Sequence, residues 1–217
     1  MSAQSISTLR RSLNGRVILP DDAEYDQART IFLGGVDRHP AVSVRPADAS
    51  DIAHAVTWTR ESGAPLAIRS GGHSSVGHST VDGGIVLDMR DMKALDVDAH
   101  GRTAWADTGL TAGEYSTSVG AHCLATGFGD TASVGIGGIT LGGGIGFLTR
   151  KHGLTIDSVL AAELVTADGD VLHVDASSHP DLFWAIRGGG GNFGVVTRFC
   201  YQLHQVRHIV GGMMVRL

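Results

Sequence analysis

Arg69-Ser70-Gly71-Gly72-His73-Ser74 places two adjacent glycines between small hydroxyl side chains and an imidazole. Glycines without a Cβ can take positive φ and let a ligand approach the main chain closely. Such a turn can aim successive N–H groups into one concavity suited to phosphate or pyrophosphate. His73 and Ser74 stand at its mouth, and the run Leu66-Ala67-Ile68 before it reads as a short buried strand. An ordinary strand-ending turn has the same local composition, so this segment alone leaves both readings open.

Two further stretches concentrate glycine. The chain holds 31 glycines in 217 residues, about twice the usual ~7%, and they gather at 71–84, 127–146 and 188–194 without a G-X-Y period, which excludes collagen. In Ser133-Val134-Gly135-Ile136-Gly137-Gly138-Ile139-Thr140-Leu141-Gly142-Gly143-Gly144-Ile145-Gly146, apolar residues and glycines interleave. This pattern predicts neither a plain helix nor a plain strand. It fits either a glycine-lined wall for a flat ligand or a tightly packed loop with none. The eleven histidines show no H-E-x-x-H spacing, so no metal site is expected. Cys123 and Cys200 suggest neither a disulfide framework nor zinc.

The elements that must position these loops are read from periodicity and punctuation. Helices are expected over Ser5–Leu13, from Asp21-Asp22 to about Leu33, from a Ser50 or Asp51 cap to Glu61, over Leu110–Gly120, and for a turn or two over Asp181–Arg187. Strands are expected at Arg16–Leu19, Ala41–Val44, Leu66–Ile68, Ile85–Met89, Lys93–Val97, Thr103–Asp107, Val159–Thr166, Val171–Asp175 and Phe193–Leu203. The strand–helix–strand unit through residues 41–68 reads as a βαβ crossover with a parallel pair. Asp168-Gly169 between apolar runs marks a hairpin. The tail has strand-like segments around Gly211-Gly212.

Hydrophobic residues make up 42% of the chain and charged ones 18%, a globular and not a disordered balance. A net charge of −5 with no basic run argues against nucleic acid. No signal peptide or ~18-residue apolar span is visible, so a soluble, cytoplasmic chain without a membrane partner is expected.

Four motifs, in order and separation, resemble a known family. They are Arg69–Ser74; the Gly135–Gly146 run continuing through Leu148-Thr149-Arg150-Lys151-His152-Gly153-Leu154-Thr155-Ile156-Asp157; Asp181-Leu182-Phe183-Trp184-Ala185-Ile186-Arg187; and Gly188-Gly189-Gly190-Gly191-Asn192-Phe193-Gly194-Val195-Val196-Thr197. The chain resembles, over about residues 30–205, the FAD-binding domain of the p-cresol methylhydroxylase and vanillyl-alcohol oxidase superfamily, in its berberine-bridge-enzyme-like branch.

The resemblance implies an α+β, two-lobed domain holding FAD: an N-terminal segment 1–35, a first lobe at about 36–108, a second at about 109–205, and at 206–217 the start of a substrate domain that the chain does not contain. It places Ile68, Arg69, Ser70, Gly71, Gly72, His73, Ser74 and Gly77 at the cofactor, with main-chain amides of Arg69–Ser74 on the pyrophosphate. Ser133, Val134, Gly137, Gly138, Gly142 and Gly146 would line the flavin, and Val195 would touch the cofactor through its backbone. His73 stands where the family joins the flavin 8-methyl carbon covalently; an ordinary imidazole, with pKa near ~6.5, is largely neutral and nucleophilic at pH 7. Many members add a cysteine bond, but Thr131 occupies that position and Cys123 lies eight residues too early, so attachment through His73 only is expected.

The implied activity is hydride transfer from an alcohol, sugar or similar small organic substrate to FAD, with reoxidation by oxygen or another acceptor. Tyr115 and Tyr201 do not match the family's catalytic tyrosine, so the catalytic base, substrate and oligomeric state stay unassigned. A non-catalytic flavin-binding fragment is the alternative. A Rossmann NAD enzyme is disfavoured, because Gly142–Gly146 lacks the strand–G-x-G-x-x-G–helix setting. His78 reads as a solvated loop residue.

Overall fold

Asp51 ties the N-terminal segment to the helix that covers the first sheet. It is 1% exposed, and its carboxylate accepts N–H bonds from Asn14, Gly15 and Ala47 at 2.8, 2.8 and 2.9 Å. In the computed structural model, which describes residues 3–206, Asp51 lies inside a helix whose cap is Asp48. The expected cap, Ser50 or Asp51, is therefore displaced by the aspartate three positions before Asp51, which accepts the Asp51 N–H.

The elements run α1 (Ala3–Ser12), β1 (Arg16–Ile18), α2 (Tyr25–Arg29), β2 (Val42–Arg45), α3 (Ala49–Ser62), β3 (Leu66–Arg69), β4 (Ile85–Asp88), β5 (Leu95–Asp98) and β6 (Thr103–Asp107). Then come α4 (Ala112–Gly120), β7 (Leu124–Ala125), α5 (Ile136–Leu141), α6 (Thr149–His152), β8 (Val159–Val165), β9 (Val171–Asp175), α7 (Pro180–Ala185), β10 (Val195–Gln202) and β11 (His204–Gln205). The segment around Gly211-Gly212 lies outside the described residues.

One sheet has the order β1-β2-β4-β3. Strands β2 and β3 are parallel, as the crossover requires, but they are not partners: β4 lies between them and pairs in parallel with both. Its Ile85, Val86, Leu87 and Asp88 are all 0% exposed, so the most apolar strand takes the centre. Helix α3 covers this sheet with Ile52, Ala55 and Val56, and Gly63 ends the helix at φ +66. The second sheet, β5-β6-β10-β8-β9, is antiparallel throughout. It has its own core, in which Tyr115 from α4, Ile136 from α5 and Phe183 from α7 pack on Ala162, Phe199 and Tyr201.

Two elements differ from expectation in ways that shape the site. Helix α2 stops at Arg29 instead of reaching Leu33. The main-chain oxygens of Ala28 and Arg29 are taken by the Arg69 guanidinium, so they are not available to continue the helix, and the Phe32 N–H goes to Gly72 O at 3.2 Å. The glycine-rich run, expected to be irregular, contains the six-residue helix α5 before it breaks at Gly143 and Gly144, with φ of +102 and +76. Within that helix Thr140 donates its hydroxyl to Ile136 O at 2.6 Å.

Candidate cofactor site

Strand β3 ends at Arg69, and the chain turns at once. Arg69 is 1% exposed; burial pushes its guanidinium down to about 10, against the opposing pull of Asp88. Its Nε donates to Ser79 O at 3.1 Å and its other nitrogens to Ala28 O and Arg29 O. The arginine is thus a strut that fixes both ends of the turn. Ser70 Oγ donates to Thr108 O at 2.5 Å and accepts the Gly137 N–H at 3.2 Å, joining the turn to the second sheet and to α5. A Cβ on Gly71 would stand 2.2 Å from Gly135 N, so the two glycine stretches touch main chain to main chain. Gly72 comes next at φ +74, a conformation that L side chains resist.

Between these stretches lies a cavity of about 620 Å³, lined by Ile68, Ser70 to Ser74, His78 and Ser79 from the first, Val134, Gly135, Gly138, Ile139, Leu141 and Gly142 from the second, and Gly188, Gly190 and Gly191 from the third. All three glycine clusters therefore meet on one concavity. Among the described residues no protein acceptor takes the N–H groups of Gly71, Gly72, His73 or Ser74. No carboxylate lines the cavity to repel an anion.

Of the positions expected at the cofactor, Ile68, Ser70, Gly71, Gly72, His73, Ser74, Val134, Gly138 and Gly142 line it. Ser133 and Arg69 line a smaller cavity of about 420 Å³ on which His73 also borders. The other four line neither cavity. Gly77 packs beside Val36, Gly137 against Thr108 and Ser70, and Gly146 against Phe128, while Val195 is 5% exposed in the core of the first sheet. Cys123 and Thr131 share a third cavity, of about 930 Å³, with none of the cavity-lining residues above. Tyr115 and Tyr201 are fully buried and bonded to Thr126 and Thr140, with burial raising both phenols, so neither can reach a substrate.

The structure adds residues the motifs do not mark. Phe32 stacks on His73 with ring centroids 4.1 Å apart. His78, expected in solvent, is exposed but lines the cavity, its N–H donating to Ser74 Oγ at 3.1 Å. Ser79 lines it with a buried hydroxyl that has no partner among the described residues. Only their place in the same turn, a few residues after Ser74, could have signalled these last two.

A family described as FAD binding domain matches residues 40–175. The chain belongs to that family. It is 40% identical over 204 residues to the (R)-6-hydroxynicotine oxidase of Paenarthrobacter nicotinovorans, covering 94% of this chain and 44% of the relative. Among solved structures it superposes on BBE-like 1 of Physcomitrella patens with a TM-score of 0.88 at 32% identity, over 93% of this chain and 44% of that one. A glucooligosaccharide oxidase of Acremonium strictum, described as carrying 6-S-cysteinyl, 8α-N1-histidyl FAD, gives a TM-score of 0.88 at 33% identity, over 93% and 43%. The chain spans less than half the length of these relatives. The fold is thus the α+β FAD-binding domain of this superfamily, and its cofactor is FAD.

The residues present fit that cofactor. Among the described residues the N–H groups of Gly71 to Ser74 have no protein acceptor, Ser79 Oγ is buried without a partner, and nothing lies within 4 Å of where a Cβ on Gly138 would stand. Among the described residues no helix is long and apolar enough to cross a membrane, and no group of three or more His, Cys, Asp or Glu is placed to hold a metal ion.

Proposed function

We propose that this chain is the cofactor-holding part of a FAD-linked oxidoreductase acting on a small organic substrate such as an alcohol or sugar. The observation that carries the reading is the convergence of three glycine stretches on one cavity with unpaired main-chain donors. FAD, when bound, supplies two-electron chemistry, accepting a hydride and passing electrons to oxygen or another acceptor. The chain's part is to bind and orient.

In this reading the N–H groups of Gly71 to Ser74 hold the pyrophosphate, and Ser79 offers its hydroxyl. Val134, Gly138 and Gly142 form the apolar wall. The lobes are taken at about 36–108 and 109–205, although β5 and β6, before that boundary, pair in the second sheet and β1, before residue 36, pairs in the first. His73 is the covalent attachment point, in keeping with the histidyl linkage of the Acremonium relative. Attachment is single, because the position of the second thiol holds Thr131.

Acid precipitation of the purified chain tests this. Flavin should stay with the polypeptide and fluoresce on a denaturing gel, and FAD should raise the melting temperature of the apo-chain, since a ligand of the folded state stabilises it by mass action. His73→Ala should abolish acid-stable flavin yet still take up FAD reversibly, because the main-chain donors remain; Cys123→Ser should change neither. A colourless chain indifferent to FAD would remove the reading. Flavin that survives acid in His73→Ala would assign the bond to another residue.

A further inference from the structure

His73 is held in a way that a phosphate cradle does not require. Its ring stacks on Phe32 with planes 17° apart, and its Nε2 lies 3.1 Å from Ser133 Oγ. Phe32 is fixed in turn by its N–H bond to Gly72 O, although the residue is 66% exposed. The stack sets the plane of the imidazole, and the hydrogen bond sets its rotation within that plane. Nδ1 has no protein partner among the described residues.

A neutral imidazole carries one N–H and one lone pair, and the bond made by one nitrogen decides the state of the other. With the proton on Nε2 and donated to Ser133 Oγ, the lone pair resides on Nδ1. With the opposite tautomer, the lone pair would be on Nε2, where the Ser133 hydroxyl would donate to it, and Nδ1 would carry the proton.

We propose that Ser133 is a positioning residue for cofactor attachment: by engaging Nε2, as acceptor or as donor, it leaves Nδ1 as the ring nitrogen free to act as nucleophile, and so directs the covalent bond to that nitrogen. This rests on the reading of His73 as the attachment point. The bond formed joins Nδ1 to the flavin's 8-methyl carbon, and the bond broken is one C–H of that methyl group. The two electrons released pass into the flavin ring and from there to dioxygen. The methyl proton and the imidazole N–H proton accompany them, giving hydrogen peroxide. Afterwards Nε2 holds a lone pair. A hydroxyl can rotate to donate to it, whereas a main-chain carbonyl in the same place could not.

The test measures attachment in the full 217-residue chain, prepared without flavin and mixed in air with saturating FAD, so that affinity does not enter. Acid-stable flavin is measured against time, and the histidyl-flavin is released by digestion and its linked nitrogen assigned by NMR. The parent should give one isomer, through Nδ1. Ser133→Ala should attach about tenfold more slowly, the loss of one hydrogen bond, and give both isomers. Ser133→Thr, which keeps the hydroxyl, should restore rate and isomer. Attachment in Ser133→Ala at the parent rate with one isomer overturns the role of Ser133 and leaves His73 in place. Slow attachment with one isomer, unrescued by threonine, overturns it too, as a merely structural effect. No covalent flavin in the parent overturns the reading of His73, and this proposal with it.

Discussion

The turn after β3 and the segment 133–146 are both rich in glycine, and they meet at Gly71 and Gly135. Their glycines answer different demands. In the turn, Gly72 and Gly77 have φ of +74 and +75, and the atom nearest a Cβ on Gly72 would be 3.8 Å away. There, glycine supplies a backbone shape. In the facing segment, a Cβ on Gly135 would stand 2.1 Å from Gly71 N, and one on Gly146 would stand 2.7 Å from Phe128 O. At these positions, as at Gly71 opposite Gly135, glycine supplies closeness between chain segments, while Gly143 and Gly144, at φ +102 and +76, supply shape again. In the proposed site, shape turns N–H groups toward the ligand, and closeness builds the wall behind them. Substitutions in the two classes should therefore fail by different routes.

The largest effect is expected where the two stretches touch. A Cβ on Gly71 would lie 2.2 Å from Gly135 N and 2.8 Å from Gly135 Cα, and main-chain atoms cannot step aside as a side chain can. Gly71→Ala should cost about 3 kcal/mol, the upper range for overpacking, in urea unfolding of the apo-chain, and FAD uptake should fall with it. A loss below ~1 kcal/mol would show that the junction is looser than these distances state.

Gly72→Ala comes next, for the other reason. Its cost is the left-handed conformation, about 1–2 kcal/mol, and not a collision. Gly72→Asn should recover part of it, because asparagine tolerates this region. The same urea unfolding decides the matter: equal losses for alanine and asparagine would mean that φ is not what glycine provides here.

These distinctions mark where the sequence was readable. The hairpins of the second sheet, the crossover through α3 and the three glycine clusters all arise from local pattern. The end of α2 does not, because it depends on Arg69, forty residues away, capturing Ala28 O and Arg29 O. Phe32 was missed for the same reason, since a continuous helix would not have laid it on His73. The place of β4 between β2 and β3 is likewise a tertiary choice, set by its complete burial. Motif spacing brought Gly137, Gly138, Gly142 and Gly146 to one segment, but it could not say which faces the cavity. That depends on the rotation of a six-residue helix that the glycine pattern concealed.

Gly137 and Gly138 turn that rotation into the smallest and sharpest test. They are neighbours on α5, yet a Cβ on Gly137 would stand 2.9 Å from Thr108 Cβ and 3.2 Å from Ser70 Oγ, whereas nothing lies within 4 Å on Gly138. Gly137→Ala should lose about 1 kcal/mol, the lower range for overpacking, because only one contact, to Thr108 Cβ, falls below 3.0 Å and none is to main chain. Gly138→Ala should do the reverse to the apo-chain. Alanine is favoured over glycine in a helix by about 1 kcal/mol, so with open space beside it the melting temperature should rise slightly. The same methyl group would stand on the wall of the cavity, so the affinity for FAD should fall several-fold, about 1 kcal/mol by the usual conversion. Stability and binding then move in opposite directions in one variant. A Gly138→Ala chain that melts higher and binds FAD as tightly as its parent would mean that the cofactor does not lie against α5.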